Sequence, residues 1–115
     1  MTEPCDLAAV AAQRLIGARK LSPVELLASC LKRIERVNPA VNAVVAMDVE
    51  RAQGAAKAAE RAVMAGDALG PLHGLPLGVK DLEETEGLRT TFGSLIFKDQ
   101  VPKEDERGPK DLRAA

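Results

Sequence analysis

Seventeen of the 19 alanines in this 115-residue chain lie before position 70, and none lies between positions 70 and 113. That asymmetry limits the fold more than any other feature. Alanine has the highest helix propensity, whereas glycine and proline, which are prominent downstream, have the lowest. The first part is therefore predicted to be helical, and the second to be built from turns and short extended segments. An alanine face also lets helices approach closely while burying little apolar area. With no Trp, no Tyr and only Phe92 and Phe97, the core must be thin. The length suits one ordinary domain rather than two.

Three helices are predicted in a helical region over 6–66. Leu7, Val10, Ala11, Leu15 and Ala18 recur at helical spacing, with Asp6 as a candidate cap and Gly17 where the helix would end. In the second, Ser22 caps, Pro23 suits the first helical position and Glu25 completes a capping box. Its stripe is Val24, Leu27, Ala28, Leu31 and Ile34, broadened by Leu26, Cys30 and Val37, and Asn38-Pro39 is expected to stop it. The third opens after Asp48, lines one face with Val49, Ala52, Ala56, Ala59 and Val63, and ends at Gly66 despite the internal Gly54.

Two runs read as short strands. Residues 42–47 are either a buried strand or an apolar connector. Residues 75–79 lie in a Gly-rich segment over 67–97, where Pro76 and Gly78 weaken a strand and favour close approach of another backbone. The fold class expected is α/β, N-terminal helices plus one or two short strands. A charged, solvated tail over 98–115 follows, in which Gly108-Pro109 would interrupt a helix begun at Lys103.

The charge balance, 16 Lys+Arg against 17 Asp+Glu, offers no excess positive potential for nucleic acid or anionic lipid. Cys5 and Cys30 lack the spacing of a zinc site or disulfide framework and read as reduced thiols. No run approaches a membrane span, and the N-terminus does not have the pattern of a secretory signal, so the expected address is cytoplasmic.

The chemistry is concentrated in 70–81, GPLHGLPLGVKD. A phosphate-binding loop fails on spacing: Gly74 and Gly78 are separated by three residues, Val79 precedes Lys80, and Asp81 would repel phosphate. His73 alone cannot build a metal site or a catalytic dyad, and reads as a loop histidine bonded locally. Lys80 is open to two readings. Burial would lower its pKa and fit it as a general base toward serine, or it marks a segment end with a surface ion pair to Asp81.

Residues 70–94, GPLHGLPLGVKDLEETEGLRTTFGS, resemble the amidase signature family, in which G-P-L-H-G-[IL]-P-x-x-[VL]-K-D is followed by Gly-x-x-T-T-x-G-S. Upstream, 31–34 and 38–43 are similar to its Leu-x-Arg-Ile and Asn-Pro-x-x-Asn-Ala elements, so the likeness covers about residues 6–105. The resemblance implies the start of a mixed-sheet fold, here a partial domain truncated before its centre. It implies a Ser-cisSer-Lys triad that cleaves or transfers amides through an acyl-enzyme without cofactor or metal, and Lys80 matches the lysine. The serines of that triad come from a downstream Gly/Ser-rich stretch that does not occur in these 115 residues, whose only serines are Ser22, Ser29 and Ser94. Gly74, Thr90, Thr91, Gly93 and Ser94 are then loop or wall positions around the site. What the resemblance implies is an amide hydrolase present as an N-terminal portion and inactive alone, its partners a small amide substrate and a complementing chain or second copy on exposed helix faces. The alternatives are a non-catalytic assembly module and a remnant without function.

Overall fold

The structure, a computed structural model, describes residues 2–115. Its regular elements are α1 (Ala9–Gly17), α2 (Pro23–Val41), α3 (Val49–Ala65) and α4 (Arg107–Ala114), with 3₁₀ turns at Pro4–Asp6 and Leu95–Phe97. The chain divides into two compact units, Met1–Val45 with Val49–Pro76, and Ala46–Asp48 with Leu77–Ala115.

In the first unit the helix boundaries follow local chemistry. Ser22 Oγ accepts the Val24 N–H at 3.0 Å, and the Ser22 N–H donates to Glu25 Oε2 at 3.0 Å, which is the expected capping box at the start of α2. Asn38-Pro39 does not stop this helix. Pro39 lies in the last turn, where its missing N–H removes a single terminal bond. The helix closes at Asn42, left-handed at φ 47, whose N–H reaches the Asn38 carbonyl at 2.7 Å. α3 ends at Gly66 as expected: at φ 77, Gly66 donates to Val63 O at 3.2 Å and Asp67 donates to Ala62 O at 3.1 Å, a Schellman motif.

α1 departs from expectation at both ends. Asp6 does not cap it; its carboxylate accepts the Glu3 N–H at 3.1 Å and closes the preceding 3₁₀ turn instead. The helix does end at Gly17, but the left-handed residue that completes the Schellman pair is Arg19, at φ 60, with Arg19 N–H on Ile16 O and Lys20 N–H on Leu15 O. The buried face is also rotated from the predicted one. Ala12 and Ile16 are inside with Leu21, Leu26 and Val63, while Val10 is exposed. Leu7, Leu15, Cys30 and Leu75 pack around this cluster. The predicted α2 stripe is only half-buried at Val24, Leu27, Leu31 and Ile34, because Leu26 on the neighbouring face takes the core position.

The α/β expectation is overturned: among the described residues every regular element is helical and no strand forms. A strand needs a neighbouring run to ladder with. For 42–47 an amide side chain takes that place, since Asn38 Nδ2 donates to Val44 O and Val44 N–H donates to Asn38 Oδ1, both at 2.9 Å. For 75–79, Pro76 has no N–H to offer, and its two sides fall in different units. An isolated bridge, Thr85 with Leu88, closes a turn.

The second unit is held mainly by polar groups and prolines. Residues 84–90 and 100–106 run antiparallel, joined by Glu106 N–H on Glu84 O, Gly87 N–H on Pro102 O and Thr90 N–H on Gln100 O. These bonds are too irregularly spaced for a ladder because the 85–88 turn interrupts them. Thr85, Thr90, Pro102 and Pro109 are buried. Within the charged 98–115 segment, whose charged side chains are mostly exposed, a helix the sequence reading did not place forms: α4 begins at Arg107, so Gly108 and Pro109 occupy its first turn, where a missing N–H costs little, and Pro109 is fully buried. Arg113 also grips Asp105 through two nitrogens, at 2.9 and 3.2 Å. No helix is long and apolar enough to cross a membrane among the described residues.

Candidate functional site

The residues singled out in 70–94 divide between the two units and do different work. Gly74 belongs to the first unit. At φ 78 it passes so close to α2 that a Cβ built there would lie 2.8 Å from Pro23 Cγ, which makes it a packing glycine. One residue before it, His73 Nε2 lies 2.9 Å from the Ala59 carbonyl oxygen of α3, so that nitrogen carries a proton and donates. The partner is not the local one expected of a loop histidine; it lies 14 residues away, on the third helix. Leu75 then packs against the helical core.

Lys80, Asp81 and 90–94 belong to the second unit. The Lys80 side chain is exposed, and its carbonyl accepts the Glu83 N–H at 3.1 Å in a turn over 80–83. The burial that one sequence reading required is not supplied by the described residues. Asp81, beside it, accepts the Thr91 N–H at 2.7 Å on Oδ1 and the Thr91 hydroxyl on Oδ2. The Thr91 hydroxyl, followed by the Thr91 N–H, holds the Asp81 carboxyl below the usual carboxylate range, and the Gly93 and Phe92 N–H groups add to the effect.

Those donors lie on a tight turn over 91–94, closed by Ser94 N–H on Thr91 O at 2.9 Å. Its central residues are Phe92 at φ 54 and Gly93 at φ 68, positive at both positions as in a type I′ turn. Gly93 carries one of these angles without strain. Phe92 is a bulky residue in a region that such residues seldom occupy. The Asp81 carboxylate is held at the first residue of this turn, by the N–H and hydroxyl of Thr91, and the Gly93 N–H donates to that same hydroxyl oxygen at 3.2 Å. Phe92 also meets Phe97 edge to face, with ring centroids 5.3 Å apart.

Thr90 is 2% exposed and structural: its hydroxyl donates to Leu88 O at 3.0 Å and accepts the Thr85 N–H at 3.4 Å. Ser94 Oγ accepts the Ile96 N–H at 3.2 Å and caps the Leu95–Phe97 turn. The other two serines are likewise engaged. Ser22 caps α2 and its hydroxyl donates to Glu60 of α3, while Ser29 accepts the Cys5 N–H at 3.0 Å. Each of the three hydroxyls thus accepts a backbone N–H at an element start.

The sequence offers Asp81 as a charge that repels phosphate, a companion to His73 or an ion-pair partner of Lys80, and not as the anchor it is. Its partner Thr91 lies ten residues on, too far for a local pattern to show. Sequence reasoning also overlooked the N-terminal charge cluster. Glu3, Cys5 and Asp6 bring ligand atoms within 4.8 Å of one another, but Arg33 of α2 bonds both carboxylates, at 2.9 and 2.8 Å, and so takes the place of a cation. Arg33 is the first cause that lowers the Glu3 and Asp6 carboxyls below their ordinary values.

The family model described as Amidase matches residues 25–115. An acylamidase of Rhodococcus erythropolis is 40% identical over 86 residues, which cover 75% of this chain and 18% of that protein. A glutamyl-tRNA(Gln) amidotransferase subunit of Azoarcus sp. strain BH72 is 46% identical over 103 residues, covering 90% and 21% respectively. Two solved structures are also similar. A chain from a study of a vestigial protein complex and the evolutionary origins of an s-triazine catabolic enzyme gives a TM-score of 0.88 at 29% identity, over 94% of this chain and 24% of that one. A bacterial aryl acylamidase gives 0.85 at 28% identity, over 94% and 23%. The chain spans 18–21% of the length of the two curated relatives. With the lysine-bearing 70–81 run and the Thr-Thr-Phe-Gly-Ser turn both inside the matched region, the chain belongs to the amidase signature family.

Proposed function

We propose that these residues are the lysine-bearing portion of an enzyme that cleaves amide carbon–nitrogen bonds, with Lys80 as general base, and that they do not catalyse the reaction by themselves. The observation that carries this reading is Lys80 itself. It is exposed on a turn, next to a carboxylate that ties it to the Thr-Thr-Phe-Gly-Ser run, and both the lysine and that run lie within the residues the family model matches. In the reaction the lysine amine takes a proton, through a bridging serine, from a nucleophilic serine whose oxygen attacks the amide carbon. The proton then passes to the leaving nitrogen as the C–N bond breaks, and water releases the acyl group. Ser22, Ser29 and Ser94 are all engaged in capping or tethering, so both serines of this scheme lie outside these residues. Small amides are the substrate class, and the cytoplasm is the compartment, a reading supported by the free thiols Cys5 and Cys30.

The test has two parts. The purified chain is expected neither to hydrolyse amides nor to be labelled by a serine-directed fluorophosphonate; stoichiometric labelling refutes the reading. Grafted in place of the corresponding segment of the Rhodococcus acylamidase, the chain should support turnover that Lys80→Met lowers by about 10²–10⁴-fold. Full activity of the Lys80→Met graft also refutes it. One observation favours a second reading, an assembly module: Leu95 and Ile96 are 87% and 86% exposed side by side. A monodisperse monomer in light scattering, unchanged by Leu95→Lys, argues against that reading.

A further inference from the structure

The Asp81 carboxylate is bound by Thr91 at the start of the 91–94 turn, and the lysine of the proposed reaction is the residue directly before it. Lys80 is therefore restrained on both sides. Its own carbonyl accepts the Glu83 N–H at 3.1 Å, and the next side chain is bound through Oδ1 to the Thr91 N–H at 2.7 Å and through Oδ2 to the Thr91 hydroxyl. The turn that Thr91 opens holds both Phe92 and Gly93 in left-handed backbone, a conformation that costs a bulky residue energy. Gly93 N–H also donates to Thr91 Oγ1 at 3.2 Å, so the hydroxyl links carboxylate and turn.

From this geometry we infer that Asp81 is a positioning residue: its carboxylate clamps the Lys80 backbone to the Thr-Thr-Phe-Gly-Ser turn and fixes the point from which the lysine side chain leaves. The inference rests on the reading of Lys80 as general base. Asp81 itself touches no reacting atom. A neutral amide at this position retains one acceptor and loses the charge that the N–H groups face, and a glutamate places the carboxylate one methylene too far along.

The test uses the ¹⁵N-labelled chain and no activity. In the wild type, the Thr91, Phe92 and Gly93 amide signals should titrate together with a midpoint below about 3.9, the ordinary aspartate value, and Asp81→Asn should abolish that shared titration. The same variant should lower hydrogen-exchange protection of these amides at least about tenfold and reduce the Lys80 order parameter from about 0.85 to below about 0.6, leaving α1–α3 unchanged. Asp81→Glu should not restore the signature. Thr91→Val should reproduce the loosening at Lys80, and Thr91→Ser, which keeps the hydroxyl, should not. Protected Phe92 and Gly93 amides in Asp81→Asn overturn the inference. So does an equal loss of protection in both units, or a loosened turn with Lys80 unchanged. Failure of the amide-cleavage reading would show in the acylamidase graft and leave these signals in place. Failure of the clamp would show here while the graft still depends on Lys80.

Discussion

Gly74→Ala should be the most damaging single-methyl change in the first unit, by an amount that divides into two measurable parts. The backbone there is left-handed at φ 78, which costs a non-glycine residue about 1–2 kcal/mol. The added Cβ would also lie 2.8 Å from Pro23 Cγ, 3.3 Å from Pro23 Cβ and 3.4 Å from Ile16 Cδ1. Pro23 and Ile16 are both fully buried, so neither can swing into solvent to make room. Overpacking of this kind adds about 1–3 kcal/mol, for a total of about 2–5 kcal/mol. Gly66→Ala in the same unit is the control. Its φ is 77, and the nearest atom to its Cβ is the end of the Arg19 side chain at 4.0 Å, so only the backbone part applies, about 1–2 kcal/mol. Urea unfolding followed by far-ultraviolet circular dichroism reads both, because α1, α2 and α3 supply the signal and the chain has no Trp or Tyr for fluorescence. A double-mutant cycle isolates the steric part. Pro23→Ala deletes the Cγ that the new methyl meets, so the double variant should be more stable than the sum of the two single effects by about 0.5–3 kcal/mol. Equal losses for Gly74→Ala and Gly66→Ala, or a cycle that closes without coupling, would refute the close-approach explanation.

Two further outcomes can be checked on the same chain. Arg19→Gly should raise the urea midpoint, gaining up to about 1 kcal/mol, since Arg19 holds the left-handed Schellman position at φ 60 that glycine occupies without steric cost; an unchanged or lower midpoint counts against strain at that site. Glu3 and Asp6 are held below their ordinary values, first by Arg33, so their contribution is complete above the unfolded carboxylate range, about pH 4, and is lost as pH falls through the lowered folded values. Acid titration of the helical signal should therefore be flattened by Arg33→Leu and by added salt, and an identical acid limb in the variant would remove the cluster from the explanation.

The parts of this molecule that are legible in its sequence are those whose partners lie within a few residues. Ser22 and Glu25 belong to one helical turn, and the Val63 and Ala62 carbonyls that close α3 lie just before their donors Gly66 and Asp67, so the cap and the Schellman end can be read directly. Features that depend on distant residues cannot. The buried face of α1 turned to Ala12 and Ile16 because Leu21, Leu26 and Val63 meet there, a fact that periodicity alone does not contain. Neither candidate strand forms, and 42–47 is the connector of its two readings: each run is apolar enough, but a strand needs a partner run that the sequence does not specify, and at Val44 the Asn38 amide takes the backbone groups instead. The lysine could be found by family resemblance, which treats Lys80-Asp81 and the Thr-Thr-Phe-Gly-Ser run as separate motifs. Their geometry joins them, because the Asp81 carboxylate accepts from both the N–H and the hydroxyl of Thr91. A change at Thr91 therefore alters what holds Lys80, and the two motifs should respond to substitution as one coupled unit.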